Sequence, residues 1–205
     1  MTENVQGLID IGKLTFSFAR IKRLTLRDDG EHESDTDHTV MLSLCACAIA
    51  DKLYRNRLDL GRVAQFAIVH DLVEAYAGDT DTVNITEERR LDKERREREA
   101  LERIRREFNG VYPWIPETIE AYETRTEPEA RFVKTLDKAM TKVTNTINKG
   151  EAIKKKGTTY EEIKMFFANQ LAEYDSKYGK EFPELISILD ELMQNMLQEM
   201  YDTLR

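Results

Sequence analysis

The chain of 205 residues holds only three histidines, and two of them stand where they could do chemistry. His70 is followed directly by Asp71, within Val69-His70-Asp71-Leu72-Val73-Glu74, and His38 closes Glu33-Ser34-Asp35-Thr36-Asp37-His38. Much later, Asp137 falls in a helical stretch, Leu136-Asp137-Lys138-Ala139, whose faces are otherwise apolar. Imidazole nitrogen suits zinc, iron, cobalt and nickel, while carboxylate oxygen adds charge and tolerates manganese and magnesium. His38, His70, Asp71 and Asp137 therefore make a mixed set suited to one divalent cation. On a six-coordinate ion these ligands leave positions for water and a phosphate oxygen, which points to metal-assisted hydrolysis.

Other residue types complete that chemistry. Glu74 lies four residues after His70, on the same helix face, where a carboxylate can orient a water or take its proton. A phosphate substrate needs a further cation, and a guanidinium fork matches phosphate geometry. Arg20, Arg23 and Arg27 precede the first ligand, and Arg23 and Arg27 are both candidates for it. Asp79 follows Gly78, a pairing typical of turns. His32 lies in a polar loop and is expected to be solvated.

The elements that must position these residues read as helices almost throughout. Apolar spacing predicts a helix from Val5 to about Leu26, then a turn at Asp28-Asp29-Gly30. Ser34 or Asp35 can cap the next helix, which carries His38. From Val40 to Ile49 that helix is apolar almost all round, which predicts a central, buried element. Leu60 to Tyr76 reads as a third helix with His70-Asp71 in its second half, ended by Gly78. A loop from Asp79 to Thr86 leads into a highly charged helix to Phe108, stopped by Asn109-Gly110. Pro113 and Pro116 frame Trp114, expected to pack, and a short helix follows. Thr126-Glu127-Pro128-Glu129 starts the helix carrying Asp137, which runs to about Asn148. Gly150 to Gly157 reads as a basic connector. Two last helices start at Thr158-Thr159 and at Phe182-Pro183, and the last has a stripe of Leu185, Ile188, Leu192 and Met196.

At the chemistry-bearing residues the chain resembles the HD-domain metal-dependent phosphohydrolases, and among them the 5'-deoxynucleotidase branch. The matching pieces are Glu33 to His38, His70 to Asp79, and Asp137, in that order, and the likeness spans about Arg20 to Asn148. It implies an all-α, single HD-domain bundle of about eight helices over residues 1–205, with the C-terminal helices of 158–205 in packing or dimer contact. It implies one divalent ion (Co, Mn, Mg, Zn, Ni or Fe) on His38, His70, Asp71 and Asp137, with Glu74 acting on the water. For Asp79 it implies a place near the sugar hydroxyl or leaving group. The expected reaction removes phosphate from a (deoxy)nucleoside 5'-monophosphate. Two rivals stand beside it: release of triphosphate from a deoxynucleoside triphosphate at the same site, and a non-catalytic nucleotide-binding regulatory module. The resembled nucleotidases follow their arginine with tryptophan; here no tryptophan follows Arg23 or Arg27, so selection for deoxyribose does not carry over. No histidine follows His70, so a dinuclear centre needing two more cannot be built.

Bulk properties narrow the partners. A net charge of −8 argues against broad binding to nucleic acid or an anionic membrane. No apolar run approaches a spanning helix, and Met1-Thr2-Glu3-Asn4 does not read as a secretory leader. Cys45 and Cys47 point to nearly opposite sides of a helix, so neither a bridge nor a shared metal is expected. A small nucleotide substrate, a cytoplasmic setting and a homodimer are the expectations.

Overall fold

The structure is a computed structural model that describes residues 1–81 and 85–201. Among these, the protein is all-α but for one small two-stranded sheet. In order the elements are α1 (Glu3–Ala19), β1 (Lys22–Leu26), β2 (His32–Ser34), α2 (Asp35–Tyr54), α3 (Leu60–Val69), α4 (Glu74–Ala77), α5 (Glu87–Phe108), α6 (Trp114–Thr124), α7 (Pro128–Ile147), α8 (Glu151–Lys155), α9 (Tyr160–Tyr178) and α10 (Pro183–Tyr201). Of the loop expected from Asp79 to Thr86, residues 82–84 lie outside the described residues, as do 202–205 of the C-terminal segment.

Residues 1–23 and 34–130 form one compact unit. Its core is α2 packed on α3 and α1, with α6 on α3 and α5 on α4 and α6. Leu42, Ala46 and Ala50, one every four residues, are almost wholly buried and give α2 a narrow stripe along which neighbours approach closely. Phe66 and Tyr122 meet with ring centroids 5.9 Å apart. Residues 24–33 and 131–205 form a second unit. There α9 packs on α10, Phe132 meets Phe182 edge-on at 5.7 Å, and Met193, Met196 and Met200 are core residues.

The structure departs from the sequence expectations in several places. The first helix stops at Ala19, because Lys22–Leu26 pairs as a strand with His32–Ser34 around the Asp28-Asp29-Gly30 turn. The helix α2 is buried on one face only: Val40 and Leu44 are 54% and 69% exposed. Apolar composition marks what a helix could bury, not how many neighbours it has. Trp114 is 45% exposed at the start of α6 rather than packed. Gly150 to Gly157 contains the short helix α8. The buried stripe of α10 is Leu185, Ile186, Leu189, Met193, Met196 and Met200, rotated from the predicted one. The expected third helix is broken in two, and that break belongs to the site.

Candidate metal centre

The cap of α2 holds the first candidate ligand. Ser34 Oγ accepts from the Asp37 amide (3.1 Å), and Asp37 Oδ2 accepts from the Ser34 amide (2.9 Å). This reciprocal box satisfies helix-end donors and fixes the turn carrying Asp35 and His38, both 0% exposed.

The second candidate pair lies on an irregular turn. In a continued α-helix the Ala67 carbonyl would accept from the amide of residue 71. Instead His70 Nδ1 lies 2.8 Å from that carbonyl, α3 ends at Val69, and Leu72 and Glu74 make three-residue bonds to Val69 and Asp71 (3.0 and 2.8 Å). The helix resumes as α4 at Glu74. Periodicity did not reveal the break because Val73 and Ala75 stay buried across it.

The donor chemistry fits a divalent ion. A carbonyl only accepts, so His70 carries its proton on Nδ1 and a lone pair on Nε2. That Nε2 lies 3.0 Å from Asp71 Oδ2. Two lone pairs facing at this distance call for positive charge between them. The His38 and His70 ring centroids are 5.3 Å apart, and the Tyr122 ring meets the edge of His70 at 6.4 Å. His38, His70, Asp71 and Asp137 each offer one ligand atom, and these atoms all lie within 4.8 Å of one another. They are a group able to hold one metal ion.

Charged side chains surround Asp71. Arg23 Nη1 donates to Asp71 Oδ2 (2.9 Å) and Asp35 Oδ1 (3.0 Å), and stands 4.0 Å from Glu74 Oε2. Lys93 Nζ, from α5, is 3.7 Å from Glu74 Oε1 and also pairs with Glu97. Burial pushes the Glu74 carboxyl well above its usual range, and the negative charges of Asp71, Asp35 and Asp79 add to this against Arg23. Asp35 is pushed up to about 6, by burial first and then, with Arg23 opposing, by Asp71. Asp79 is raised too, chiefly by burial, with Arg23 holding it back.

The two arginine candidates separate. Arg23 is a half-buried member of this cluster, whereas Arg27 pairs with Asp29 at 2.7 Å, with both side chains well exposed. Sequence reasoning missed two residues. Asp35 was weighed only as a helix cap; Ser34 takes that part, and Asp35, one turn before His38, faces inward with it. Lys93 is hidden in a run of charged residues, where only the register of α5 singles it out. His32 is exposed, as expected.

The chain is similar to known proteins. The pattern that defines the HD domain matches residues 18–177. The 5'-deoxynucleotidase HDDC2 of Homo sapiens is 30% identical over 192 residues, covering 91% of this chain and 85% of that protein. The protein of the same name from Danio rerio is 31% identical over 139 residues, 65% of each. A solved structure, a predicted metal-dependent phosphohydrolase from Magnetospirillum magnetotacticum MS-1, superposes with a TM-score of 0.75 over 98% of both chains at 24% identity, a likeness of fold.

Proposed function

The chain belongs to the HD domain family and is a metal-dependent phosphohydrolase of that type, and from this premise we propose that it removes phosphate from (deoxy)nucleoside 5'-monophosphates. The 5'-deoxynucleotidase relatives support this substrate class. The observation that carries it is the group of two imidazoles and two carboxylates with a buried carboxylate, Glu74, beside it and a half-buried guanidinium, Arg23, between them.

His38, His70, Asp71 and Asp137 would hold the ion. When bound, a divalent ion stabilises phosphoryl charge and makes water more acidic. Glu74 is the general base: burial raises its carboxyl well above the ordinary carboxylate range, so it takes a proton more readily than an exposed acid. Arg23 offsets phosphate charge, and Lys93 adds a second cation next to Glu74. Asp79 faces the sugar hydroxyl or the leaving oxygen, the place implied by the family resemblance.

The test is phosphate release from dAMP, AMP and dATP, each with cobalt, manganese and magnesium. Release from the monophosphates is the expected result. Tripolyphosphate from dATP, with nothing from either monophosphate, would replace this reading with triphosphohydrolysis. No turnover of any nucleotide by metal-loaded protein would leave a binding module.

A further inference from the structure

Arg90 and Arg95 of α5 pair with acids one turn away on the same helix, the ordinary state of a solvated face. Arg96 does more. It shares the inward side of α5 with Lys93, Ala100 and Ile104, and is half-buried where Arg95 and Arg98 are exposed. Its Nε donates to Asp92 Oδ2 within the helix (3.0 Å), but its other two nitrogens reach outside it. Nη1 donates to the Ala77 carbonyl, and Nη2 donates to Thr80 Oγ1 at 2.6 Å.

These two acceptors flank Gly78 and Asp79. The Ala77 carbonyl closes α4, among the carbonyls a helix cannot satisfy for itself and where a cation is favoured. Gly78 then turns the chain out of the helix, with φ 75° and ψ 151°. Thr80 follows Asp79 directly. A planar guanidinium holds its donors in a fixed fork, so one side chain sets the separation of both ends of this turn. It anchors them to α5, which packs on α4 and is itself held by the buried Ala100, Ile104 and Phe108. The turn carries one carboxylate, Asp79. Burial raises that carboxyl, Asp71 adds to this, and Arg23, the Thr80 amide and Lys93 oppose it. The charge of Asp79 is thus felt by the groups that surround Glu74.

We propose that Arg96 is a positioning residue for the substrate: by bridging Ala77 and Thr80 from α5 it fixes the Gly78-Asp79 turn and so aims the Asp79 carboxylate at the bound nucleotide. The proposal rests on the reading of Asp79 under the proposed function. It gives α5 two tasks one turn apart, a cation beside Glu74 from Lys93 and a clamp on the neighbouring turn from Arg96.

Two measurements test it on the parent, Arg96→Gln and Thr80→Val, each checked for folding by circular dichroism and for cobalt content. Thr80→Val removes one acceptor and leaves α5 intact, so it carries the comparison should Arg96→Gln not fold. The first measurement is hydrogen–deuterium exchange of the amides of residues 78–80, which is expected to quicken by about tenfold in Arg96→Gln and less in Thr80→Val as the turn opens locally. The second is kcat/KM for phosphate release from dAMP with cobalt, run as a double-mutant cycle with Asp79→Ala. Misplacing a positioned group costs up to about 10²-fold, and Arg96→Gln is expected to lose about tenfold. In the Asp79→Ala background the same change is expected to cost less than about threefold, because residues acting through one another are non-additive. Unchanged exchange in both variants, or an equal loss of kcat/KM with and without the Asp79 side chain, would overturn the positioning role and leave the proposed function standing. A cobalt-loaded parent that turns over no nucleotide would overturn the proposed function, and the substrate role of Arg96 with it.

Discussion

Glu74 sits between two cations, 4.0 Å from Arg23 and 3.7 Å from Lys93, yet burial outweighs both and its carboxyl holds a proton more firmly than usual. Such a balance suits a group that must take a proton and give it up. Glu74→Gln preserves size and removes that capacity. It is expected to retain its metal and lose about 10²–10⁴-fold in turnover. Metal content and phosphate release, measured on the same preparation, check both halves. A variant within a few-fold of the parent would remove Glu74 from the chemistry. Most of this site was legible in the sequence, because imidazoles are scarce and their order is specific. The acidic partner Asp35 was not, since aspartate before a helix is ordinarily a cap; only the fold shows that Ser34 caps and Asp35 turns inward.

At the scale of elements, helix existence could be read from the chain and helix ends could not. The caps at Ser34, Thr86 and Thr159 stand where turn chemistry puts them. The strand at Lys22–Leu26 was hidden because Ile21, Leu24 and Leu26 also fit a helical period. The break after Val69 was hidden because a side chain, the His70 ring, causes it. The end of α4 is better determined: Gly78 adopts φ 75°, ψ 151°, a region closed to residues with a Cβ. An added Cβ there would meet nothing closer than Arg96 Nη1 at 4.0 Å, so its cost is conformational, not steric. Gly78→Ala is expected to lower stability by about 1–3 kcal/mol, read as a lower midpoint in urea with an unchanged slope.

For the whole molecule, buried charges set how stability varies with pH. Asp35 rises from 3.8 to about 6 in the fold, so its penalty is fully present above pH 6 and fades as pH falls toward 4. Lys142, buried beside Gln170 and Phe167, falls from 10.5 to about 7, because burial disfavours its charge and Lys138 adds to this. Its penalty is fully present below pH 7 and fades as pH rises toward 10. In melts of chelator-treated protein, Asp35→Asn should gain on the parent between pH 4 and 6. Lys142→Met should keep its advantage at pH 6 and lose it by pH 10. Parallel curves for parent and variants would contradict both assignments. The interrupted stretch between α3 and α4 has a different consequence, a kinetic one. His70 and Asp71 ride on a short turn closed by three-residue bonds, outside either helix. Small turns open far more often than whole domains, so two ligands can let go together while α2 and α3 stay folded. The cofactor should then exchange with ions in solution much faster than the chain unfolds, and the metal in the centre would follow whatever the surroundings supply.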